Sequence, residues 1–94
     1  MGHIDVKEPE GYEASIAAEM PAFSRFGGRY LVRDGAFEQV EGSVRSVTVL
    51  IAFPSYAAAL ACHGSPEYKA ATALRTGKAD IDLIACEGYD GPQP

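Results

Sequence analysis

Tryptophan is absent, and Ile, Leu, Val and Phe together supply only 20 of 94 residues, whereas alanine supplies 15. Alanine buries little area, so the core this chain can build is thin. A domain of this size removes only roughly 60–65% of its unfolded surface from water. A thin core in one small domain points to stability completed at an oligomer interface. Cations are scarce as well: eight Lys and Arg face thirteen acids, a net charge of −5. The bases are dispersed from Lys7 to Lys78 and form no stripe. That argues against nucleic acid as a partner and against an anionic membrane surface. The longest apolar run, Val47 to Phe53 with Thr48 inside it, is too short to cross a bilayer. The first residues lack both a basic segment and an apolar segment of secretory type, so the cytoplasm is the expected location.

Cysteine occurs only at Cys62 and Cys86. In a cytoplasmic chain two distant thiols are expected free and buried. A zinc site needs about four ligands at clustered spacing, and Cys62-His63 with a remote Cys86 and His3 do not supply it. No metal and no cofactor are expected. A Gly-rich phosphate loop, a nucleophile elbow and a paired-carboxylate motif are also missing.

What remains is an alternation of elements. Residues 2 to 6 alternate polar and apolar as a half-buried strand does. Pro9 and its acidic neighbours suit a first helical turn. Tyr12, Ile16, Met20, Phe23 and Phe26 then recur at helical spacing, with Pro21 expected to kink or divide the helix near Glu19. A strand follows from residue 28 to 41, bent at Asp34-Gly35 by a bulge or short excursion. Val47–Phe53 is the strongest strand. Ser55 caps a helix over about 56–63, and Ser65-Pro66-Glu67 opens another that ends near Gly77. Residues 81 to 86 form the last strand. Residues 1–88 are read as a single domain and residues 89–94 as a loose tail.

The order β-α-β-β-α-β is the ferredoxin-like α+β pattern, with both helical layers on one face of a four-stranded antiparallel sheet. In the strongest strand Val47, Val49, Ile51 and Phe53 point to one side, and Leu50 points to the other with Thr48 and Ala52. Apolar residues on both faces belong to a strand covered on both faces. Helices cover one. The simplest cover for the other is a second copy, giving a homodimer that places these residues in the core or the interface.

The ordered segments Pro9-Glu10-Gly11-Tyr12, Phe26 to Arg33, Val40-Glu41-Gly42, Phe53-Pro54-Ser55 and Ser65-Pro66-Glu67-Tyr68 resemble the domain of unknown function 1330 family. The resemblance runs from about residue 2 to residue 88. It implies a dimeric α+β barrel, in which two ferredoxin-like sheets pack together. Families of that group share the fold and differ in chemistry, so the resemblance leaves the reaction open. Two departures stand out. Arg33-Asp34-Gly35 occupies a place where the family often has Arg-Gly-Gly, and Cys62-His63-Gly64 replaces an aromatic pair.

Three side chains are candidates for ligand binding, and each has a plainer alternative; no catalytic residue is assigned. Arg33 ends a strand beside an irregularity, where its guanidinium suits a carboxylate; an ion pair with Glu38 or Glu41 would explain it equally. His63 ends a helix and suits a general base, or simply caps carbonyls. Adjacent helical residues diverge by about 100°, so Cys62 and His63 cannot share a face as a nucleophile pair. Tyr68 presents a phenol to a pocket or packs its helix on the sheet. The functional classes left open are a cofactor-independent enzyme acting on a small organic acid or aromatic, and a non-catalytic dimeric ligand-binding or stress-related module. A polar cluster converging inside the barrel favours the first, and a wholly aliphatic lining favours the second.

Overall fold

A computed structural model describes all 94 residues. The elements are β1 (Gly2–Val6), α1 (Pro9–Arg25), β2 (Arg29–Arg33), β3 (Val47–Ala52), α2 (Tyr56–Gly64), α3 (Pro66–Ala73) and β4 (Ala79–Leu83). They form one four-stranded sheet in the order β2-β3-β1-β4, with every neighbouring pair antiparallel. This is the expected ferredoxin-like α+β arrangement. The ladder between β1 and β4 runs one pair further, because Met1 and Ile84 exchange backbone hydrogen bonds of 2.8 and 2.9 Å.

The helices start where their caps dictate. The Ser55 hydroxyl accepts from the Ala58 amide at 3.0 Å and opens α2. The Ser65 hydroxyl accepts from the Tyr68 amide at 3.3 Å, and Pro66 follows it at a position where a missing amide costs nothing. Gly27 ends the first helical segment with φ 77°, a backbone state that glycine adopts without strain. Gly28 then lies so close to the Phe53 ring that an added Cβ would stand 3.0 Å from it.

The core is small and aromatic. Ala22, Phe23, Cys62 and Tyr68 are buried together, with Phe26, Tyr30, Ile51 and Phe53 packed around them. Phe23 is the hub: its ring lies 5.8–6.3 Å from those of Tyr68, Tyr30, Phe53 and His63, edge to face with Tyr30 and Phe53 and tilted against the other two.

The structure corrects several expectations. Pro21 does not divide the first helix, which runs unbroken as α1 from Pro9 to Arg25. The buried stripe of that helix includes Ser15, Glu19, Ala22 and Phe23, while Met20 is 42% exposed. Strand β2 ends at Arg33 instead of running to residue 41, because Asp34 turns the chain with φ 53° and residues 35–46 form no regular structure. The bulge lies earlier, between Tyr30 and Val32, opposite Ile51 and Leu50. Strand β4 begins at Ala79 and Cys86 lies beyond it, exposed, so only Cys62 has the buried position expected of both thiols. Helix α3 stops at Ala73, and residues 74–78 turn back on hydrogen bonds such as that from the Lys78 amide to the Arg75 carbonyl, 2.9 Å.

Candidate functional site

A cavity of about 740 Å³ opens between the sheet and the helices. Its lining takes in both Ile51 and Leu50, neighbours on opposite faces of β3, and reaches the C-terminal segment at Cys86–Asp90. Most of the wall is apolar. Polar side chains interrupt it, among them Tyr12 and Glu19 from α1, Tyr30 from β2, His63 from α2, Tyr68 from α3, and Arg75 from the turn after α3; Ser55, Tyr56, Glu87 and Asp90 lie elsewhere on the lining.

Glu19 and Arg75 form the charged centre. Arg75 Nη1 donates to Glu19 Oε1. Glu19 is 3% exposed and the Arg75 side chain 16%. Burial pushes the Glu19 carboxyl above its ordinary range, against the opposing pull of Arg75. The phenols of Tyr12, Tyr30 and Tyr68 are likewise raised by burial, which keeps them neutral donors. The nearby Arg75 guanidinium opposes part of that rise at Tyr68. The Tyr30 hydroxyl is buried with no hydrogen-bond partner. An unpartnered buried phenol costs about 1–3 kcal/mol, a cost that a ligand with a suitable polar atom would remove.

His63 faces the same space. Its Nδ1 lies 2.7 Å from the Ala59 carbonyl oxygen, which can only accept, so Nδ1 carries the hydrogen. In the neutral ring that leaves Nε2 as a free base. The ring stands edge to face against Tyr68, centroids 4.7 Å apart. Cys62, its neighbour in sequence, points into the core with no exposed surface, and burial raises its thiol pKa.

Of the three side chains expected to bind a ligand, His63 and Tyr68 meet in this cavity and Arg33 does not line it. Arg33 borders a smaller adjoining cavity of about 240 Å³, together with Tyr12 and Tyr30, which belong to both. The bulge explains this placement. It puts two residues between Tyr30 and Arg33, so both face the helices, and the Arg33 guanidinium stacks over the Tyr30 ring 5.1 Å from its centroid. Neither Glu38 nor Glu41 pairs with it; the acidic partners of the chain's ion pairs are Glu19, Glu67, Asp5, Asp80 and Asp82.

Sequence reasoning missed Glu19 and Arg75. A signal for Glu19 was present: it stands three residues after Ile16 and four before Phe23, a charge on an apolar stripe. Arg75 carried no signal, since its reach to Glu19 across 56 residues depends on the packing of α3 against α1.

The fold and this cavity define a ferredoxin-like α+β domain with a polar cluster set into an apolar pocket. The chain belongs to the domain of unknown function (DUF1330) family, whose profile matches residues 1–89. Among solved structures it is similar to the methylated RPA0582 protein, with a TM-score of 0.73 and 21% identity over 98% of this chain and 80% of that one. It is also similar to RPA0582 described as a protein of unknown function from Rhodopseudomonas palustris, with a TM-score of 0.68 and 24% identity over 96% and 80% of the two chains. At these identities the likeness concerns the fold. No curated protein matches the chain. No helix is long and apolar enough to cross a membrane.

Proposed function

We propose that this protein is a cofactor-independent enzyme that binds a small, partly apolar organic acid or aromatic in the cavity and moves a proton on it. The observation that carries this reading is the convergence of Glu19, Arg75, His63 and three tyrosines, from four separate elements and the turn after α3, on one apolar pocket. A buried ion pair is weak evidence of stability, because desolvation offsets most of its attraction. Its presence beside an unpartnered phenol and an open imidazole nitrogen suits ligand chemistry better than core packing. His63 Nε2 is the candidate base, and Tyr68 and Tyr30 are candidate donors to a developing oxyanion. Arg33, at the rim beside Tyr30, suits steering of an anion toward the opening.

The working unit in this reading is a homodimer. Strand β3 is only partly covered along its whole length, and Leu31, the unpaired bulge residue next to the Val32–Leu50 pair, is 51% exposed. A second copy packed sheet to sheet would cover this region and close the side of the cavity that reaches Leu50. Incubating the protein in D₂O with small carbonyl acids and watching for loss of α-proton signals by NMR tests the chemistry. Exchange that disappears in His63→Gln supports the enzymatic reading. Ligand-induced shifts at Tyr30 and Tyr68 with no exchange would instead support the non-catalytic module.

A further inference from the structure

Resting on the reading of the cavity as a ligand site, we propose that Arg75 is the anion clamp of this cavity and that an anionic ligand enters together with one proton, which Glu19 takes up. The geometry starts from the guanidinium. One of its donors serves Glu19, the Tyr68 hydroxyl lies close by, and the fork, which borders the cavity, makes no other hydrogen bond to the protein. A guanidinium fork is preorganised for a carboxylate, and the Tyr30 hydroxyl on the same wall lacks a partner.

Charge then decides what else must happen. At the Glu19–Arg75 centre the two charges cancel, while Glu87 and Asp90 line the cavity at its C-terminal side. An arriving carboxylate would place two anions on one cation in a space where Glu19 is 3% exposed. Two carboxylates sharing a site disfavour double ionisation and hold a proton between them. Glu19 is the group placed to take that proton. Its surroundings offer no other counterion: Tyr12 on its own helix, Tyr30 from β2, Cys62 from α2 and Tyr68 from α3 face it, and Arg75 alone carries charge. His63 lines the same cavity and is the competing proton acceptor. Burial already favours the protonated form of Glu19, which reinforces the geometric argument. Protonated Glu19 still hydrogen-bonds and leaves the fork to the ligand.

The test uses benzoate as the anionic probe and benzamide as its neutral counterpart, titrated calorimetrically into the full chain in buffers of different ionisation enthalpy. Benzoate binding is expected to take up about one proton and to weaken about tenfold per pH unit above the carboxyl's free-state pKa. Benzamide binding should show neither effect. Glu19→Gln should flatten the pH dependence and bind benzoate more tightly than the wild type at neutral pH. Arg75→Gln should lose benzoate and keep benzamide; Arg75→Lys, which retains the charge without the fork, covers the case in which the first variant misfolds. Benzoate binding without proton uptake, or an unchanged slope in Glu19→Gln, overturns the proposal. A slope abolished by His63→Gln instead assigns the proton to His63 and also overturns it. If neither probe binds at millimolar concentration, the cavity reading fails with it; benzamide binding without proton-linked benzoate binding sinks only the coupling.

Discussion

Replacing Glu19 with alanine removes the buried half of the least exposed ion pair in this protein. The guanidinium of Arg75 would then stand in an apolar wall without its counterion. Breaking a buried pair from one side costs about 3–5 kcal/mol, mostly the penalty for the charge left behind. Arg75 keeps 16% of its side chain exposed and borders an open cavity, so water reaches it and the low end of that range, about 3 kcal/mol, applies. Against a total stability of about 5–15 kcal/mol for a small domain, that is a large fraction. Urea unfolding followed by far-UV circular dichroism at fixed protein concentration should show the midpoint falling by at least about 1 M with an unchanged slope. The double replacement Glu19→Leu with Arg75→Met should recover most of the loss, because no charge is then stranded. The sign with pH follows from the same burial. Glu19 titrates higher in the folded chain than in the unfolded one, so its protonated form stabilises the fold at low pH. That contribution is lost as pH rises through the raised folded value. Glu19→Gln should remove this part of the pH dependence. A single Glu19→Ala that costs less than about 1 kcal/mol, or a double replacement no better than the single, would refute the argument.

Three further outcomes are expected. Leu50→Asp should convert a species of about 20 kDa in light scattering to one of about 10 kDa, or unfold the chain, because a charge without a partner would be buried at the proposed interface; a wild type that runs as a stable monomer would remove the homodimer. With an aromatic disulfide reagent in native buffer, the exposed Cys86 should react at once, and the fully buried Cys62, whose thiol is held up by burial, only on unfolding; two equally fast thiols would contradict the core described. Arg33→Ala should lower the association rate of benzoate and its salt dependence while leaving the melting temperature unchanged, as a rim charge does; an unaltered rate would take Arg33 out of ligand capture.

The element order was written in the sequence because its signals are local. Ser55 and Ser65 each stand three residues before the amide they cap, and Pro66 follows where a helix tolerates it. The alternation at residues 2–6 and the apolar run from Val47 fix two central strands, and a β-α-β-β-α-β order leaves few topologies. Where local signals competed, the tertiary structure decided. Pro21 stays inside α1 because the packing of Ala22 and Phe23 holds that turn against the core. Strand β2 stops at Arg33 because Asp34 adopts a left-handed backbone that breaks the ladder. The bulge at Leu31 is invisible to periodicity, yet it alone decides that Arg33 shares a face with Tyr30. Placement of the candidate site was less legible still. Sequence placed His63 and Tyr68 near the break between two helices, and that break is one wall of the cavity. The charged centre joins residues 56 positions apart, and no pattern along one segment encodes a contact made only when α3 packs on α1. Local chemistry thus determined which elements form, and long-range packing determined which charges meet.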